Sequence, residues 1–287
     1  MKIRPWLTYA FVSTIFCGTW GALIELPERN GFPATMGYVV WALTMILPAV
    51  IALRRSGKVP DRSRMAVIYG MLIGVSGAAG QLLLFQALRS GPAYLVFPFV
   101  SLSPLVTILL SILVLKEKAS PRAWAGIIVA LISIPLLSYQ PAGGTSGAGV
   151  LWIFLALAVF LLWGVQAYFM KVANNHMTAE SIFYYMMLSG LLLIPVAVWM
   201  TDLHLPINWG WKGPYMAAAI QVLNALGALF LVYAFRYGRA MIVSPLTNAG
   251  APMITIALSL CIYGLLPHPV IVAGLLMALI AVFLLAL

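Results

Sequence analysis

The sequence predicts an all-α integral membrane protein of ten transmembrane helices, arranged as two inverted five-helix repeats. Three observations carry this prediction. Apolar runs near the roughly 20 residues of a spanning helix follow one another with almost no charge inside them. The basic residues gather in alternate gaps between the runs. A segment of the first half recurs in the second half at a nearly fixed offset. Composition agrees, since 63% of the 287 residues are hydrophobic and only 8% are charged, far from the balance of a soluble domain. In lipid the backbone must satisfy its own polar groups, which favours helices, and the short alternating segments of a barrel are absent.

The expected spans are 6–26, 34–53, 65–88, 92–115, 122–139, 149–171, 179–200, 214–235, 240–263 and 268–287. The first begins with a basic stretch, as a signal peptide would. Its apolar run continues through Leu26 without a small-residue cleavage site, so a retained helix is expected. The connections, such as ERNGFP, KEKASP and RYGR, are too short for an extramembrane domain. With a cytoplasmic N-terminus, Lys2, Arg4, Arg54, Arg55, Lys58, Arg62, Arg64, Lys116, Lys118, Arg122, Lys171, Arg236 and Arg239 fall on one side. Only Arg29, Arg89 and Lys212 fall on the other. This asymmetry predicts that both termini lie in the cytoplasm. The net charge of +10 is spread over short loops, so lipid headgroups are the expected polyanionic partner and nucleic acid is not.

The repeat is read from ALRSGPAYLVFPFVSLSP (87–104) against AFRYGRAMIVSPLTNAGAP (234–252). Arg89, Gly91, Ala93 and Pro98 match Arg236, Gly238, Ala240 and Pro245 at an offset of 147, and one inserted residue brings Pro104 onto Pro252. Trp20-Gly21 is echoed by Trp163-Gly164. Residues 1–141 and 142–287 therefore form the two repeats. Five helices is an odd number, so the second repeat enters the membrane from the opposite side. Inverted repeats of this kind underlie alternating access in many carriers.

Polar groups at membrane depth are costly unless they pair or face a cavity. Those expected to line a solute path are Gln81, Gln86, Ser101, Gln166, Asn224 and Asn248, with Trp20 and Trp163 as walls. Ser101 and Asn248 hold matched positions, three residues after matched prolines. Pro98, Pro104, Pro245 and Pro252 are expected to bend the fourth and ninth spans, because each proline frees a carbonyl. The other aromatics, among them Trp41, Tyr184 and Tyr185, are ambiguous, and those near span ends read as interface anchors. The small residues Gly70, Gly74, Ser76 and Gly80 read as a packing face. Glu25 reads as an interfacial carboxylate paired with Arg29.

No metal ligand set, catalytic cluster or cofactor motif is present in the sequence. Cys17 and Cys261 lie inside spans without His or acid at ligand spacing, and no phosphate-binding loop occurs. The chain is not expected to be an enzyme.

These features resemble the drug/metabolite transporter superfamily, and within it the ten-helix EamA-like family. The segments that carry the resemblance are FCGTWG in the first helix, the run from Leu82 through Ile134, and LVYAFRYGRAMIVSPLTNAGAPMITI. The pattern Ala93, Pro98, Pro104 followed by Glu117, Pro121 and Gly126 is the most specific part. The second repeat departs from it, with no acid in CIYGLLPHPVIVAG where Glu117 would correspond, and the chain lacks a basic C-terminal tail. The resemblance implies a central cavity shared by the halves and outward movement of small organic solutes. The expected function is a secondary transporter of a neutral or zwitterionic metabolite, such as an amino acid or a derivative, working as a monomer or homodimer. A sugar-type uptake carrier of the same fold and a non-transporting scaffold or sensor are the alternatives.

Overall fold

Helix ends follow local chemistry. Among the described residues α1 covers Pro5–Leu23. α5 (Arg64–Ser90) starts where Ser63 Oγ accepts the Ala66 N–H, and α10 (Ala179–Leu192) where Thr178 Oγ1 accepts the Ser181 N–H. α4 (Ile46–Ser56) stops at Gly57, which takes the left-handed φ of 65°. The computed structural model describes residues 5–115, 120–137, 150–238, 240–264 and 268–286. The junction acid Glu117 and the repeat boundary at 141/142 lie outside them, as do Lys2, Arg4, Lys116, Lys118 and Arg239.

The other helices are α2 (Leu26–Arg29), α3 (Ala34–Thr44), α6 (Ala93–Val100), α7 (Pro104–Leu115), α8 (Pro121–Leu137), α9 (Leu151–Ala173), α11 (Ile194–Trp199), α12 (Met216–Tyr237), α13 (Ala240–Tyr263) and α14 (Pro269–Ala286). They make the ten spans, as α1–α2, α3–α4, α5, α6–α7, α8, α9, α10–α11, α12, α13 and α14. Large apolar side chains such as Phe11, Leu47, Leu113, Phe154 and Phe283 point outward, as a lipid-facing surface requires.

The third span of each repeat packs against the first two spans of the other: α5 lies on α9 and α10, and α12 lies on α1 and α3. The fourth spans repeat the exchange, α6–α7 on α9 and α13 on α1, while α8 and α14 pack on each other. The two halves therefore interlock. Matched hydrogen bonds tie them to this symmetry. Thr107 Oγ1 donates to the Gly164 carbonyl at 2.9 Å, and Thr255 Oγ1 donates to the Gly18 carbonyl at 2.9 Å.

Helix breaks occur at one expected proline and at two places that were not singled out. Span four is interrupted at Ser101–Ser103, directly before Pro104. The Val100 carbonyl that Pro104 cannot use accepts instead from the Ser103 N–H at 3.0 Å. Span nine runs as one helix through positions 245 and 252, since a membrane helix can absorb a proline when its surroundings satisfy the freed backbone groups. The side chains of Pro98, Pro245 and Pro252 lie outside what the structure describes. A matched pair of breaks occurs elsewhere, at Met45 in span two and Leu193 in span seven, shortly before Pro48 and Pro195. These two prolines are themselves 147 residues apart, the offset of the repeat.

Candidate functional site

The interlocked spans leave a cavity of about 180 Å³ between the repeats, lined from α1, α3, α5, α6, the break at 101–103, α9, α10, α12 and α13. Its size falls below the ~300–1,000 Å³ of sites for drug-sized ligands, so it suits a small metabolite.

The packing of α5 against α9 shapes one wall. A side chain at Gly77 would run into the Gln166 amide, and one at Gly80 would run into the Trp163 indole. The small face of α5 lets these two large side chains reach the cavity edge. The remaining glycines of that face, Gly70 and Gly74, receive Tyr185 and Ser189 of α10. Trp163 Nε1 donates to the Gly77 carbonyl at 3.4 Å.

The opposite wall is more polar. Trp20 Nε1 donates to Gln221 Oε1 at 2.9 Å, and Trp41 Nε1 donates to Asn224 Oδ1 at 2.7 Å. Trp20 also meets Phe97 edge-on, with ring centroids 5.6 Å apart. In the repeat register Gln221 and Asn224 correspond to Gly74 and Gly77. One half thus holds carboxamides where the other holds glycines that admit Gln166 of α9 and Ser189 of α10.

Seven of the eight residues expected at the path line this cavity together: Trp20, Gln81, Ser101, Trp163, Gln166, Asn224 and Asn248. Gln86 does not. It lies five residues beyond Gln81, about 140° around the helix, and its Oε1 accepts from Arg89 Nη1 at 3.5 Å instead. Trp41, whose role as anchor or cavity wall was open, is only 5% exposed and lines the cavity. Its position midway along the 34–53 run was the signal for depth. Thr247, a polar residue beside Asn248, lines the cavity too, as does Thr255, which was not singled out although it repeats Thr107 at the offset that joins Pro104 to Pro252. Cys17 borders the cavity as well.

Among the described residues no charged side chain lines the cavity. Charges collect beyond it. At one end Arg29 Nη2 meets Glu25 Oε2 at 2.8 Å and Arg89 Nε meets Glu28 Oε1 at 3.4 Å. At the other, Arg236 Nη1 donates to the carbonyls of Asn174 at 2.6 Å and Met177 at 3.4 Å, beside the C-terminal end of α9, where a cation suits the helix dipole. Tyr233 nearby donates to Glu180 Oε1 at 3.0 Å. Among the described residues no three His, Cys, Asp or Glu side chains are grouped as metal ligands.

Comparison with known proteins places this arrangement. The profile of the EamA-like transporter family matches residues 4–139 and again residues 150–287. An uncharacterised protein of Methanocaldococcus jannaschii is 35% identical over 121 residues, which are 42% of this chain and 85% of that protein, so the relative is about as long as one repeat. A pseudopaline exporter of Pseudomonas aeruginosa, found in two strains, is 29% identical over 185 residues, 63% of this chain. The match spans 62% of that exporter's own length. A crystal structure with 18% sequence identity superposes with a TM-score of 0.69, covering 96% of this chain and 94% of the other, and supports the fold. Matched twice along its length by one family, the chain belongs to the EamA-like transporters of the drug/metabolite transporter superfamily, and is a multi-pass secondary solute transporter rather than an enzyme.

Proposed function

We propose that this protein exports a small neutral or zwitterionic metabolite, such as an amino acid or a derivative, by alternating access across the inner membrane. The observation that carries the reading is the shared cavity, which offers amides, hydroxyls and indoles from both repeats and no lining charge among the described residues. A strongly anionic or cationic solute would leave its charge without a counter-ion at membrane depth, at a cost of several kcal/mol. A neutral molecule avoids that cost, and a zwitterion lessens it because its two charges offset each other. The exporter named above supports outward movement, and the basic loops support a cytoplasmic location for both termini. Ser101 and Asn248 are the matched contacts to solute, and Pro98, Pro104, Pro245 and Pro252 are the flexible points of spans four and nine.

The test is transport by purified full-length protein in vesicles of known orientation, loaded with radiolabelled neutral amino acids. The reading requires efflux that Ser101→Ala or Asn248→Ala reduces at least fivefold. Net uptake would support the carbohydrate-type carrier direction instead, and no flux of any neutral solute would support the scaffold alternative.

A further inference from the structure

We propose that the cavity selects its solute by a planar acceptor oxygen, presented as a carboxylate or a carboxamide and held by the side-chain amino groups of Gln81 and Asn224. The inference rests on the transport reading and adds to it the chemistry of recognition.

Gln81 is 3% exposed and lines the cavity. Its Nε2 is fully buried and has no hydrogen-bond partner. A buried donor left unmade costs about 1–3 kcal/mol, and such groups in folded proteins ask for a reason. Here the reason is a solute that brings the acceptor.

Asn224 supplies a second donor whose direction is fixed. An indole N–H only donates, so the atom that faces Trp41 at 2.7 Å is the Asn224 oxygen. The amino group is therefore the part of Asn224 that is left for the cavity, on a side chain already held in place. Pre-ordering of this kind lowers the entropy lost on binding.

The repeat register shows that the pair is not inherited from the duplication. Gln81 corresponds to Ala228, and Asn224 corresponds to Gly77. All four positions line the cavity. Each half thus places one amide donor opposite a small residue of the other, four residues apart in the register. Two neutral donors suit a carboxylate or an amide carbonyl. They offer nothing to a solute whose polar end is an ammonium alone, and no Asp or Glu among the described lining residues replaces them.

The experiment uses full-length protein in detergent and three probes of one shape, L-leucine, L-leucinamide and 3-methylbutylamine, at about pH 9, above the ~7.7–8.0 at which an α-amino group titrates, so that leucinamide is largely uncharged. Thermal stabilisation is recorded against probe concentration, because a ligand of the folded state raises apparent stability by mass action. Stabilisation by leucine, leucinamide or both, with at least tenfold weaker response to the amine, is expected. Leucine alone would identify the carboxylate as the group read, and leucinamide alone the carboxamide. Gln81→Leu is expected to weaken the responding probe at least tenfold while raising the melting temperature of the ligand-free protein, since the unpaired donor is gone. Equal stabilisation by the amine, silence from all three probes, or an unchanged response in Gln81→Leu overturns the proposal. Vesicle flux separates this from the transport reading. Acceptor-selective binding without flux sinks transport alone, and flux with no acceptor preference sinks the selection by Gln81 and Asn224 alone.

Discussion

Trp41 and Asn224 lie 183 residues apart in the chain and join across the repeat interface through one 2.7 Å hydrogen bond, indole to carboxamide. Both are at least nine-tenths buried and both border the cavity. The bond links the packing of the two halves to the shape of the site.

Trp41→Phe should therefore lower stability by about 0.5–2 kcal/mol, the range for polar pairs within membranes and for lost buried bonds. Thermal melting of the purified variant measures it. Combining Trp41→Phe with Asn224→Leu should cost less than the two single losses together, because the residues share one interaction. Full additivity would show that the bond contributes nothing.

The close contact of α5 with α9 predicts a second effect. Gly77→Ala pushes a methyl group into the Gln166 amide, and overpacking of this type costs about 1–3 kcal/mol. Gln166→Ala in the same chain should recover part of that loss. A Gly77→Ala protein that melts with the wild type would show that the wall yields.

Span breaks bear on rate. Pro48→Ala and Pro195→Ala should each slow transport several-fold more than they weaken solute binding, because the matched interruptions at Met45 and Leu193 precede them. Pro98→Ala and Pro245→Ala, in the central spans, are expected to act in the same direction. Flux and thermal stabilisation measured side by side decide it. An equal loss in both would assign the prolines to the site rather than to motion.

Arg89→Ala offers a contrast. Its contact with Glu28 is at 3.4 Å with the arginine more than half exposed, and exposed pairs contribute about 0–1 kcal/mol. The variant should melt within a few degrees of wild type, and raising salt should narrow the difference further. A large, salt-independent loss would give this pair a structural role.

How much of this was legible in the sequence depends on which physical rule each feature obeys. Span number and repeat register follow from apolar length and from the identity of Arg89 with Arg236 and Pro98 with Pro245, which need no tertiary knowledge. Most of the cavity could also be read, because Gln81, Gln166, Asn224 and Asn248 are amides at depths where lipid tolerates few. Gln86 obeys the same polarity rule but not the helical period, and it turned away. Trp41 was hidden by its type, since tryptophan serves equally at an interface and beside a buried carboxamide. The breaks were hardest to read. Proline marks where a helix can yield, while packing decides whether its backbone is interrupted there, as it is before Pro104 and not at positions 245 and 252.

The unequal halves carry a kinetic consequence. Two chemically identical repeats would offer the same surface to solute from either side of the membrane. Here Asn224 of α12 holds the place that Gly77 of α5 holds in the repeat register, and both border the cavity, so faces opened in turn by the two halves would present different groups to solute. Half-saturating concentrations on the two sides then differ, and the forward and return rates differ in a compensating ratio. A carrier without a coupled driving force leaves the resting distribution of its solute unchanged. What such an asymmetry would set is which side is served at low concentration and which is cleared only when crowded, and side-specific half-saturation in vesicles of known orientation measures it.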